Sequence, residues 1–138
     1  MKIRRETDYA IRAIRTLYVS EGYPLFSQEI AKRESIPSTY ILVIMAKLKS
    51  AGYVETLYRK AGSKGGYILS ADLARVTLYD IYMLFEGDMT ICECLREEEQ
   101  CCHEETCRIR KEMCRLNKVL IKEMKRSSIE EILLSGLD

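Results

Sequence analysis

All six cysteines of this 138-residue chain fall between Cys92 and Cys114. They are Cys92, Cys94, Cys101, Cys102, Cys107 and Cys114, and the single histidine, His103, lies among them. Random scatter would not gather them there, so this segment needs sulfur. The remainder of the chain holds no thiol. With 47% apolar residues it can fold around a core without disulfides.

The compartment follows from the same counts. No apolar run is long enough to span a bilayer. The first residues, MKIRRETDYAIRAIR, thread charges through their apolar positions and lack a signal-peptide core. The chain is expected to be cytoplasmic, with no membrane partner, where thiols stay reduced. Clustered cysteines in that setting favour metal ligation or redox chemistry over structural disulfides.

A net charge of +1 hides an asymmetry. Residues 1–70 carry 12 Lys and Arg against 6 Asp and Glu; residues 71–138 carry 10 against 15. A basic first half suits a polyanion such as DNA. An acidic second half suits a sensing or pairing segment that stays off it.

Taken in order, Thr7 or Asp8 can cap a first helix with Tyr9, Ala10, Ala13, Ile14 and Leu17 on one face, ended by Gly22. Ser27 can cap a short second helix in which Ile30 and Ala31 are the apolar contacts. Pro37 fits the first turn of a third helix running to about Ser50, and Gly52 stops it. Two helices joined by a tight turn predict a helix-turn-helix, whose second helix places its first residues on the bases. Ser38, Thr39 and Tyr40 would sit there, with Gln28 at the adjoining turn. The run Ile41 to Met45 is apolar on all sides, so a face of this helix beyond the core is expected to meet a partner.

Strand propensity returns over Tyr53–Tyr58 and Tyr67–Leu69. Between them Arg59, Lys60, Ser63, Lys64, Gly65 and Gly66 form a glycine-rich cationic hairpin tip able to approach phosphates. Lys47, Lys49, Arg59, Lys60 and Lys64 are the candidate phosphate contacts. Thr77 and Asp80 read as a capping box opening a helix that Gly87 closes. The cysteine segment follows as a loop. A long helix begins near Thr106 with the apolar stripe Ile109, Met113, Leu116 and Leu120. Roughly twenty residues give it about 30 Å, long enough to project and pair with a second copy. Ser128 and Glu131 read as a second capping box before a short last helix.

The expected architecture is mainly α with a small β-hairpin wing. A winged helix-turn-helix occupies residues 1–75. Residues 76–138 hold the cysteine loop, about 91–107, and a long C-terminal dimerisation helix.

Four stretches together resemble the Rrf2 family of bacterial winged-helix regulators: TDYAIRA at residues 7–13, IPSTY followed by KLKSAGYV, the wing RKAGSKGGYIL, and VTLYDIY before a cysteine loop. The resemblance spans essentially the whole chain and leans to the iron–sulfur branch typified by IscR and NsrR. It implies a homodimer on a palindromic DNA operator, with a cluster held by three loop cysteines. Cys94, Cys101 and Cys107 best match the spacing, while Cys92 competes with Cys94, and Cys102 and His103 are possible substitutes. IscR-like members carry a histidine where Arg110 stands here. NsrR-like members use an acid at the start of the first helix, matched by Asp8. The resemblance therefore implies three thiolates, Asp8 and a [4Fe–4S] cluster, with [2Fe–2S] as runner-up. A polar residue of IscR-like proteins is replaced here by Leu42, so base preference does not carry over.

Other chemistries stay open. Thiolates suit zinc as well as iron, although the paired C-x-x-C knuckles of structural zinc sites are missing. A metal-free thiol redox regulator and an iron–sulfur electron-transfer protein remain alternatives. Cys114, two turns after Cys107, reads as a small apolar residue. No nucleophile–base pair lies outside the cysteine loop and no phosphate-binding loop is present, so the chain is expected not to be an enzyme.

Overall fold

The structure is a computed structural model that describes residues 2–58, 65–96 and 106–135. Helix α1 (Arg5–Val19) lays Ala10, Ala13, Ile14 and Leu17 into the core. Neither Thr7 nor Asp8 caps it. The helix starts earlier, at Arg5, which leaves Thr7 buried on the core face and Asp8 paired with Arg12 at 2.8 Å. Its first turn is held instead by Glu86, whose carboxylate accepts the Arg4 N–H at 2.7 Å.

Helix α2 (Ser27–Glu34) begins with Ser27 inside it, and the Phe26 N–H donates to the Glu29 carboxylate at 3.2 Å. It ends at Ser35, which takes a left-handed φ of 53° to make the tight turn. Helix α3 (Ser38–Ser50) follows, with Pro37 just outside its first turn. Ile41, Ile44, Met45 and Leu48 of α3 are buried against α1 and α2. Gly52, at φ 82°, turns the chain into the hairpin.

Strands β1 (Val54–Tyr58) and β2 (Gly65–Leu69) pair antiparallel, Val54 opposite Leu69 and Tyr58 opposite Gly65. Leu25 adds a third edge, exchanging backbone hydrogen bonds of 3.0 and 2.7 Å with Tyr67. Gly66 lies buried at that junction. A Cβ there would meet Pro24 Cβ at 2.7 Å, so the glycine is demanded by close packing rather than by a turn.

Helix α4 (Leu78–Glu86) opens on the expected capping box: the Thr77 N–H donates to Asp80 at 2.8 Å and the Asp80 N–H to Thr77 Oγ1 at 3.4 Å. Gly87, at φ 72°, ends it. A 3-10 turn at Glu93–Leu95 interrupts the cysteine segment. Helix α5 (Arg108–Met124) buries none of its residues in the single chain. After it the chain turns back. Helix α6 (Ile129–Leu134) opens on the second capping box, between Ser128 and Glu131. The Ile129 N–H donates to Val76 O at 2.7 Å, and the Ile129 side chain enters the same core as α1 and α3. Among the described residues no helix is long and apolar enough to cross a membrane.

Candidate nucleic-acid interface and metal centre

Gln28, in the first turn of α2, and Ser38 and Thr39, in the first turn of α3, are exposed to solvent. Tyr40 is half-buried and packs edge-on against Tyr9, ring centroids 5.3 Å apart, so its ring braces α3 on α1. The lysines at the end of α3 differ. Lys47 sits over the Phe85 ring at 5.3 Å with Glu6 at 4.0 Å, which turns it towards α4 and α1. Lys49 donates to Thr56 Oγ1 at 3.4 Å and so ties α3 to the hairpin. Gly65 opens β2 opposite Tyr58. Arg59, Lys60, Ser63 and Lys64 lie outside the described residues.

The angle between α1 and α2 is set by a clamp at Glu34. Its carboxylate, with its side chain only 9% exposed, accepts from Arg15 Nε at 3.1 Å, from Arg15 Nη2, and from Thr16 Oγ1 at 2.5 Å. Burial pushes the Glu34 carboxyl up. The hydrogen bonds and charge of Arg15 and the Thr16 hydroxyl outweigh that, and its pKa is lowered from the usual carboxylate value.

The cysteine segment is pinned to α5 at two points. The Ile91 N–H donates to Asn117 Oδ1 at 3.0 Å, and Arg110 Nε donates to Cys94 O at 3.3 Å. Cys107 is the N-cap of α5, and its Sγ accepts the Arg110 N–H at 3.4 Å. Cys92 Sγ and Cys94 Sγ lie 3.2 Å apart. The structure thus pairs Cys92 with Cys94 at the 3-10 turn and links Cys94 to Cys107 at the foot of α5 through Arg110. Cys114 is half-buried further along that helix. Cys101, Cys102 and His103 lie outside the described residues. Among the described residues no three Cys, His, Asp or Glu side chains converge on a metal-sized site. The donor chemistry still fits an iron–sulfur centre: soft sulfurs, one of them facing a backbone N–H at a helix start, which is the hydrogen bonding that supports a cluster thiolate.

Two positioning residues escaped the sequence reading. The sequence marks Arg110 only as standing where IscR-like members carry a histidine, and carries no signal for Asn117. Arg110 was legible in principle, because it stands three residues after a helix-capping side chain, where the amide turns back onto the cap. Asn117 was not, since its partner Ile91 is 26 residues away.

On the α1 side, Arg96 pairs with Asp88 at 3.3 Å and Arg4 with Glu86 at 3.4 Å. These four residues and Cys92 line one cavity of about 350 Å³ between the cysteine segment and the start of α1. Cys92 therefore shares a cavity with the Arg4–Glu86 pair that holds the start of the first helix.

Comparison with known proteins bears on the family and the fold. A family model described as "Rrf2: Iron-dependent Transcriptional regulator" matches residues 3–134. The YwgB protein of Bacillus subtilis is 40% identical over 63 residues, which cover 46% of this chain and 38% of that protein. The regulator NsrR of the same organism is 28% identical over 103 residues, 74% of this chain and 68% of NsrR. The match to YwgB thus spans well under half of that relative's length. Among solved structures, that of CymR, described as the global cysteine regulator of B. subtilis, superposes with a TM-score of 0.76 at 22% identity. It covers 99% of this chain and 98% of CymR, a likeness of fold.

Proposed function

The chain belongs to the Rrf2 family of transcriptional regulators, and from that premise we propose that it is a homodimeric DNA-binding regulator governed by an iron–sulfur cluster in its cysteine segment. The observation that carries this reading is the double attachment of that segment. It is tied to α5 through Arg110 and Asn117, and it borders the Glu86–Arg4 contact that holds the start of α1.

In this reading two copies pair along α5 and place two α3 helices and two hairpins on a palindromic duplex. Gln28, Ser38 and Thr39 lie nearest the bases. Lys49, Arg59, Lys60 and Lys64 neutralise phosphates. Cys94, Cys101 and Cys107 supply thiolates, with Cys92, Cys102 and His103 in reserve, and Asp8 supplies an oxygen ligand from a second subunit. The cluster, [4Fe–4S] in preference to [2Fe–2S], supplies an iron centre sensitive to oxidants and to small ligands. The protein's part is to convert occupancy into geometry. Arg110 holds Cys94 and Cys107 to one site, and release of the thiols loosens the segment beside Arg4 and Glu86. Because α1 braces α3 through Tyr9 and Tyr40, the shift reaches the DNA-reading turn.

A second reading rests on the 3.2 Å contact between Cys92 Sγ and Cys94 Sγ: a metal-free thiol switch built on that pair. One experiment separates the two. Native mass spectrometry of protein prepared without oxygen is expected to show a dimer carrying one iron–sulfur increment per subunit. A bare dimer that loses two hydrogens per subunit on mild oxidation would install the thiol switch instead, and a zinc increment would make the centre a zinc site.

A further inference from the structure

We propose that Leu42 and Val43 set the DNA sequence preference by packing against thymine C5-methyl groups in the major groove; the proposal rests on the DNA-binding reading above. Leu42 is 63% exposed and Val43 51%, although both lie in the middle of a helix whose other large apolar residues are buried. The two are adjacent and project with Thr39 and Ala46, the residues three positions either side of them in helical register, as one exposed stripe. That stripe continues from the solvent-facing Ser38 and Thr39 at the start of α3.

Charge says what covers it. Helix α3, STYILVIMAKLKS, contains no acidic residue, and Lys47 and Lys49 occupy its last turn. A helix without anions, in the basic half of the chain and tied by Lys49 to the hairpin, is complementary to a polyphosphate backbone. Within the major groove the thymine methyl is the apolar feature a base edge offers. Leu42 and Val43 carry no donor or acceptor, so they cannot read a base by hydrogen bonding. Opposite a cytosine amino group or a guanine carbonyl they would instead strip water from a polar edge and return nothing. The pair therefore favours thymine and disfavours guanine and cytosine through the same contact.

The test uses the full chain in cluster-loaded and metal-free forms to select duplexes from a random-sequence library. The selected duplex is then resynthesised with deoxyuridine replacing single thymines, which removes only the methyl. Binding is expected to weaken about fourfold at one or two positions in each half-site, the effect of exposing one methyl-sized group. The double variant Leu42→Ala, Val43→Ala is expected to lose that sensitivity while keeping its salt dependence, because phosphate contacts are untouched. Both side chains are exposed, so the variant keeps its core; Leu42→Ala alone serves as a milder control. A selected site indifferent to deoxyuridine, or equally sensitive in the variant, overturns the inference and leaves DNA binding standing. A variant that changes subunit count rather than base preference also overturns it, and assigns the stripe to a protein contact. If neither form enriches any sequence, the DNA-binding reading itself falls.

Discussion

Glu34 shows how much of this fold turns on single side chains. It sits at the C-terminal end of α2, where a negative charge opposes the helix dipole, and Arg15 and Thr16 of α1 compensate it. Because its folded pKa lies below the unfolded value, the clamp's stability is fully present above the usual carboxylate range. It is lost as pH falls through the lowered folded pKa. Glu34→Gln is expected to cost about 1–2 kcal/mol at neutral pH. It should also flatten the acid limb of a melting-temperature profile. A variant with an unchanged acid limb would move that titration to another carboxylate. Gly66 makes a related point. Its place in a glycine-rich cationic stretch points to close approach to phosphate, but it is a buried junction where Pro24 leaves no room for a side chain.

At the scale of elements, the two capping boxes were legible because both partners lie within three residues of one another. Thr77 and Asp80, and Ser128 and Glu131, close their own hydrogen bonds whatever the rest of the chain does. What α6 then does was not legible. The sequence allowed a short last helix but did not say that it returns to the 73–77 segment and lodges Ile129 in the core. Ser128→Ala is expected to cost about 1 kcal/mol and lower the melting temperature by a few degrees. The Ile129 and Glu130 amides, which donate to Val76 O and Leu73 O, should lose hydrogen-exchange protection first. Loss of protection spread evenly over all helices would mean that α6 does not open as a separate unit.

For the whole molecule the open question is α5. A 17-residue amphipathic helix with no residue fully buried in its own chain, and with Ile109 71%, Leu116 40% and Val119 46% exposed, is a surface awaiting a partner. Under the proposed function that partner is a second copy. Leu116→Glu combined with Val119→Glu is expected to convert the dimer to monomer in sedimentation while helix content is kept, since both residues face solvent in the single chain. A dimer that survives the double change would place the interface on another surface.

The sequence by itself determined the features that depend on neighbours a few residues apart. These are the helix periods, the glycine stops at Gly52 and Gly87, the capping boxes, the hairpin and the gathering of every thiol into one segment. Local hydrogen bonds and steric limits act over a turn or two, so they are written in adjacent residues. The tertiary structure alone decided that Leu25 completes the hairpin, that Glu86 holds the start of α1 from 82 residues away, that Asn117 anchors Ile91, and that Leu42 and Val43 face outward. Those outcomes depend on which surfaces meet once the core has closed, and no periodicity within one helix records which of its apolar faces the core will leave uncovered.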